Sequence, residues 1–154
     1  MPTNILHRIV AQSWVYDQVQ LLAGSREVQQ HLARQIRPVG SAPLVLDIGG
    51  GTGLVRSLFS PASTYVCLDI DPMKLSGFVR KHPKEQALLA DAAQIPIKRE
   101  SMDVVLCTNV SHHLLDELFS NVVAEVMRLL KDDGRLIFLD AVWDPARPIS
   151  RLLW

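Results

Sequence analysis

The stretch Val45-Leu46-Asp47-Ile48-Gly49-Gly50-Gly51-Thr52-Gly53 decides the fold. An apolar run of strand length passes directly into four glycines within five positions. Glycine permits positive φ and lacks a Cβ, so the backbone there can pass close against a ligand. The residues that follow, Gly53–Phe59, read as an amphipathic helix whose first amides have no partner within the helix. Such amides suit a carboxylate or phosphate. The helix dipole adds only ~0.3–1 kcal/mol for an anion placed there, enough to orient a ligand but not to capture it. The plain alternative is a ligand-free turn, for which four glycines are conformationally costly.

Outward from that turn, short apolar runs alternate with helical stretches. Leu44–Ile48, Tyr65–Leu68, Ala87–Leu89, Val104–Cys107 and Leu136–Leu139 read as strands, continuous enough in apolar character to be covered on both faces. Helices are expected at Gly53–Phe59, Pro72–Arg80 and Asp116–Leu130. The last would bury Phe119, Val122, Val123, Val126, Leu129 and Leu130, with Asp116 capping its start and Gly134 following its end. Alternation of this kind predicts right-handed crossovers and an α/β, doubly wound, mostly parallel sheet. Before it, Asn4–Leu22 has helical periodicity, Gly24 interrupts, and Ser25 opens a second helix with Val28, Leu32 and Ile36 on one stripe. Pro38, Gly40 and Pro43 close this helical preface.

The 154 residues suit one domain, with 48% apolar and 21% charged residues. Sixteen basic residues balance sixteen acidic ones, so no long-range field draws the chain to nucleic acid or an anionic membrane. Arg26, Arg34 and Arg37 read as the wet face of a helix rather than a binding patch. No apolar run approaches the ~20 residues of a membrane span, and the first residues lack a signal-peptide pattern. The apolar preface reads as a lid or core helix, since its polar face is not basic enough for a membrane surface. Cys67 and Cys107, both inside strands, fit free thiols in a reducing compartment, and a cytoplasmic location is expected.

The ligand class is narrowed by what the glycines fail to match. A dinucleotide fingerprint needs glycines at i, i+2 and i+5, but the third place falls on Leu54 or Arg56. A phosphate-binding loop needs Lys then Ser or Thr, where Leu54 and Val55 stand. The second strand ends Tyr65-Val66-Cys67-Leu68-Asp69, at the tip next to the glycine turn. A carboxylate there can accept hydrogen bonds from two ribose hydroxyls, as in Rossmann sites. The simpler role for Asp69 is a helix cap, which Asp71, directly before Pro72, fills better.

VLDIGGGTG followed by YVCLDIDPMKL closely resembles motifs I and II of class I S-adenosylmethionine-dependent methyltransferases, in particular the small-molecule group related to ubiquinone-biosynthesis enzymes. The likeness continues through ALLADAAQIPIKRESMDVVLCTNVSHHL and LLKDDGRLIFLD, covering about Ala42 to Ala141. The resemblance implies a Rossmann-like core over 42–141, a helical N-terminal extension over 1–40 and a tail over 142–154. It also implies S-adenosylmethionine as cofactor, with S-adenosylhomocysteine as product. By the same resemblance Gly49, Gly50 and Gly51 would meet the methionine end, and Asp47 would orient the turn and the amino group. Asp69 would hold the ribose, while Ile70 and Met73 would pack near the adenine. Asp91 would take the adenine amino group and the Ala92 amide a ring nitrogen. Thr108 and Asn109 would line the methyl-transfer side, and Tyr16 with Asp17 would sit over the cofactor.

The implied reaction is methyl transfer to a small organic acceptor, with a catalytically silent cofactor-binding subunit as the alternative. A nicotinamide-dependent oxidoreductase is opposed by the glycine spacing. His112 and His113 are the candidates for a general base, with a structural role as the alternative. They lack the i, i+4 partner and neighbouring ligands of a metal site, so no metal is expected. Family members usually carry two further strands, completing a seven-stranded sheet. Here only Val142 to Trp154 follow the fifth strand, which is then an apolar edge. A truncated chain, a homo-oligomer that covers this edge or the tail, and a fold that binds without catalysing all fit that pattern.

Overall fold

A computed structural model describes residues 25–36, 40–111 and 114–140. The elements run α1 (Ser25–Ile36), β1 (Leu44–Ile48), a 3-10 turn (Arg56–Leu58), β2 (Thr64–Asp69), α2 (Pro72–Lys81), β3 (Gln86–Leu89), β4 (Met102–Thr108), α3 (Asp116–Leu129) and β5 (Leu130–Leu139). The five strands form one sheet in the order β3-β2-β1-β4-β5, and every neighbouring pair is parallel. The α/β, doubly wound Rossmann-like fold expected from the strand–helix alternation is therefore present. The strand order reverses between β1 and β4, and in open parallel sheets ligands bind outside the carboxyl ends at that point.

Continuous apolar strands follow from burial on both faces. Val45, Tyr65, Cys67, Val104 and Leu106 pack with Leu32 and Ile36 of α1 and Leu75 and Phe78 of α2. On the other face, Leu46, Ile48, Val66, Leu68 and Val105 pack with Val122, Val126 and Leu129 of α3 and with Ile95. Each fully buried aliphatic side chain contributes ~1.5–3 kcal/mol, so these two layers hold the strand ends in fixed register.

Several expectations need correction. Gly53–Phe59 is not an α-helix but turns followed by the three-residue 3-10 element. Gly53 has φ +77°, a left-handed conformation that cannot open a right-handed helix, and Phe59 is already extended two residues before Pro61. The dipole contribution expected there is consequently absent. Asp116 does not cap α3: Leu115 occupies the cap position without a side-chain bond, and Asp116 sits in the first turn. Gly134 does not end that helix either, because Leu130 is already extended. Gly134 lies in the bulge where β5 shifts register against Met102 and Val104, its Cα facing the Met102 carbonyl. Val123 is exposed and Phe119 and Leu130 are half-buried, so α3 buries a narrower stripe than its periodicity suggests. The expected helix over Asn4–Leu22 and the tail over 142–154 lie outside the described residues.

Candidate functional site

The parallel register brings the loops after β1, β2, β3 and β4 to one edge of the sheet. Ile48 pairs with Leu68 on one side and Cys107 on the other, which sets Gly49 beside Asp69 and Thr108. The Gly50 amide donates to the Leu68 carbonyl at 3.1 Å, and the Gly51 amide donates to Asp69 Oδ2 at 3.0 Å. Asp69 Oδ1 accepts the Asp71 amide at 2.8 Å. The buried carboxylate thus ties the glycine turn to the loop after β2. A carboxylate has about four lone-pair sites, so two remain for hydroxyl donors. Asp71, in turn, caps α2 by accepting from Met73 N at 2.8 Å, with Pro72 in the first turn. That leaves Asp69 to the loop junction, as its position at the strand tip suggests.

The glycines make room chiefly for the protein's own side chains. A Cβ on Gly50 would stand 2.6 Å from Asp47 Oδ2 and 2.8 Å from Cys67 Sγ. Asp47 lies beneath this turn, fully buried, and its Oδ2 accepts the Tyr65 hydroxyl. Its Oδ1 is buried without a hydrogen-bond partner. Burial raises the Asp47 carboxyl to about 7, opposed by the Tyr65 hydrogen bond and reinforced by the charge of Asp69. Tyr65 itself is pushed up by burial and by Asp47. Its ring is held by Phe59 and Phe78 and lies under the Arg56 guanidinium, 5.4 Å from the ring centre. Arg56 is fixed by Glu85 at 2.7 Å and by the carbonyls of Phe59 and Ser60. Burial also raises the thiols of Cys67 and Cys107, so both are protonated and unreactive near neutrality.

The other expected positions surround this centre. Ile70 and Met73, after β2, are 71% and 52% exposed, and Leu89 at the end of β3 is exposed as well. Asp91 is exposed and accepts the Ala93 amide at 2.8 Å, while Ala92 packs half-buried on the α3 side. Thr108 is the last residue of β4 and Asn109 follows it, with the Asn109 amide donating to the Leu139 carbonyl at 2.9 Å. Asn109 has φ +56°, in the left-handed region that asparagine tolerates better than most residues. Asp47, Gly49, Gly50, Gly51, Asp69, Ile70, Met73, Asp91, Ala92, Thr108 and Asn109 therefore share one end of the sheet. Tyr16, Asp17, His112 and His113 lie outside the described residues.

Sequence reasoning missed three supporting groups. Tyr65 was legible only through register: Asp47 pairs with Cys67, so Tyr65, two residues earlier, shares its face. The Glu125–Arg128 pair of α3 holds the loop between β3 and β4. Glu125 accepts the Ile95 amide, and Arg128 donates to the Ile95 and Ile97 carbonyls, each at 2.8 Å. Asp140 accepts the Ser111 amide at 2.6 Å, joining the loop after β4 to the end of β5. Among the described residues no group of His, Cys, Asp or Glu could hold a metal ion, and no helix is long and apolar enough to cross a membrane.

Comparison with known proteins places this geometry. Residues 46–138 match the family described as "Methyltransferase domain". The chain is 34% identical over 105 residues to the uncharacterized methyltransferase YcgJ of Bacillus subtilis, covering 62% of this chain and 40% of that protein. It is 35% identical over 94 residues to phthiotriol/phenolphthiotriol dimycocerosates methyltransferase 1 of Mycobacterium ulcerans, covering 60% of this chain and 34% of that protein. The crystal structure of YcgJ superposes with a TM-score of 0.68 at 24% identity, over 81% of this chain and 54% of that one. The N-methyltransferase NodS of Bradyrhizobium japonicum, solved with S-adenosyl-L-homocysteine, gives 0.67 at 19% identity, over 73% and 60%. The chain thus spans well under half the length of these curated relatives.

Proposed function

Because the chain belongs to the methyltransferase domain family, we propose that it binds S-adenosylmethionine at the carboxyl ends of β1, β2 and β4 and passes the methyl group to a small organic acceptor. The observation that carries this reading is the junction of Asp69 with the Gly51 amide at the strand-order reversal. The residues fit the cofactor chemically. Asp69 retains acceptor sites for ribose hydroxyls, and Asp47 Oδ1 is a buried acceptor that an ammonium group would satisfy. Ile70 and Met73 offer apolar surface of the kind an adenine ring covers, next to the polar edge formed by Asp91 and the Ala92 amide.

When bound, the cofactor supplies a methyl group already activated on a sulfonium centre. The protein's share is then mainly alignment and exclusion of water. Asp69 fixes the glycine turn and the ribose side together. The Ser111–Asp140 contact and the Asn109–Leu139 hydrogen bond hold the loop after β4, where Thr108 and Asn109 face the transfer side. An acceptor that needs deprotonation would take its base from His112 or His113.

The relative named as a phthiotriol/phenolphthiotriol dimycocerosates methyltransferase supports an organic acceptor. A reducing intracellular setting, with no nucleic-acid or membrane partner, belongs to the same reading; the two free thiols support it. Self-association through β5 is supported by its place at the sheet edge and by the exposed Leu136 and Phe138. The test is transfer of labelled methyl from S-adenosylmethionine across a panel of small acceptors. Transfer above the no-protein control supports the enzyme. Tight cofactor binding with no transfer to any acceptor would support the silent subunit instead.

A further inference from the structure

Asp47 and Tyr65 form a buried pair that the cofactor reading leaves without a stated role. The carboxyl group stands directly under Gly50, with one oxygen taken by the Tyr65 hydroxyl and the other without a hydrogen bond. A single hydrogen bond is thin support for a buried negative charge, because desolvation disfavours the ionised form. The surroundings add little. On its own face β2 contributes Tyr65 and the protonated Cys67, and Asp69 adds a second negative charge at the strand tip. The neighbouring β4 contributes Leu106 and, beyond it, the thiol of Cys107. From the helical layer come the apolar Leu32, Ile36, Leu75 and Phe78. Arg56 stacks over the Tyr65 ring and is paired with Glu85. His82 packs on Phe78, outside that ring. Among the described residues, nothing else cationic faces the carboxyl group.

We propose that binding of S-adenosylmethionine drives a proton off Asp47, and that Tyr65 is the positioning residue that sets the pH of this step. The inference rests on the cofactor reading above. In the free protein near neutrality, a large share of Asp47 is protonated. An ammonium group of the cofactor near Oδ1 would supply the missing partner and favour the carboxylate. The Oδ–H bond breaks and the proton passes to the buffer. Tyr65 donates to Oδ2 in both states but more strongly to the charged one, so it keeps the step within the neutral range.

Calorimetric titration of S-adenosylhomocysteine from about pH 6 to about pH 8, in phosphate and in imidazole, reads the coupling directly. Affinity should rise about tenfold per pH unit at the acid end and level off above neutrality. At about pH 6 the heats in the two buffers should differ by close to the difference between their ionisation heats, for one proton released. Asp47→Asn should abolish that difference. Tyr65→Phe should weaken binding several-fold near pH 7 and converge on the wild type towards pH 9. A purely structural role for Tyr65 would instead lower affinity by the same factor throughout. Equal heats in both buffers with a flat pH profile would overturn the coupling while leaving the cofactor assignment intact. Absence of binding at every pH would overturn both.

Discussion

The Asp69 carboxylate accepts the Gly51 amide at 3.0 Å, joining the glycine turn after β1 to the tip of β2. The same group also receives the Asp71 amide. One side chain therefore fixes both loops that flank the proposed ribose position. Asp69→Ala should weaken S-adenosylhomocysteine binding by about 1.5–3 kcal/mol, the value of a hydrogen-bonded charged acceptor. Titration of the folded variant checks this, and an unchanged affinity would mean that the ribose is held elsewhere.

Gly50 tests the packing beneath the turn. The Cβ of alanine would press on the Asp47 carboxylate and Cys67 Sγ, both held by β-strand backbone. Gly50→Ala should destabilise the fold by about 1–3 kcal/mol, the usual cost of overpacking. Chemical denaturation measures it, and a loss below about 0.5 kcal/mol would show that the turn relaxes freely.

The raised Asp47 carboxyl has a defined signature in stability. Its folded value is about 7 against 3.8 for an ordinary aspartate, so across that window the folded protein keeps a proton that the unfolded chain gives up. Stability therefore falls as pH rises from about 4 to about 7, by up to ~4 kcal/mol in total from this group. Asp103 and Glu125 act in the opposite sense. Lys131 and Arg128 hold them below the usual carboxylate range, and the stability they contribute is lost as pH falls through the acid region. The Asp47 contribution is isolated by comparing wild type with Asp47→Asn, which should be the more stable near pH 8. Parallel pH profiles for the two proteins would contradict the assignment.

Arg128 and Glu125 act on a loop rather than on a ligand. Removing the guanidinium takes from the Ile97 carbonyl its Arg128 donor and leaves the Ile95 carbonyl with only the Ile97 amide and the Glu125 carboxylate with only the Ile95 amide. Arg128→Ala should cost about 1–3 kcal/mol and speed hydrogen exchange at the Ile95 amide, which Glu125 holds. Unaltered exchange there would show that core packing of Ile95 alone fixes the loop.

What was legible in the sequence was the part written in local pattern. Continuous apolar runs marked all five strands, Leu44–Ile48 to the residue. Burial on both faces removes alternation in β1, β2 and β4, whereas the edge strands β3 and β5 are largely exposed, contrary to the expectation that all five are covered. Asp71 before Pro72 marked a cap that the structure contains. The glycine turn and Asp69 stood out because a charged or Cβ-less residue at a buried strand end needs a local reason. What stayed hidden depended on register or on distant partners. Tyr65 meets Asp47 only through strand pairing, and Glu125 reaches Ile95 across 30 residues of chain. The expected helix after Gly53 failed for a different reason. Its apolar spacing was helical, but the left-handed glycine and the extended Phe59 leave space for only one tight turn.

The most direct measurement compares S-adenosylhomocysteine with NAD by calorimetry on the same protein preparation. A ribose carboxylate and a glycine turn without the dinucleotide spacing predict saturable one-to-one binding of S-adenosylhomocysteine and no heat of binding with NAD. Binding of NAD in preference to S-adenosylhomocysteine would contradict the assignment of this cleft to an adenosyl amino acid.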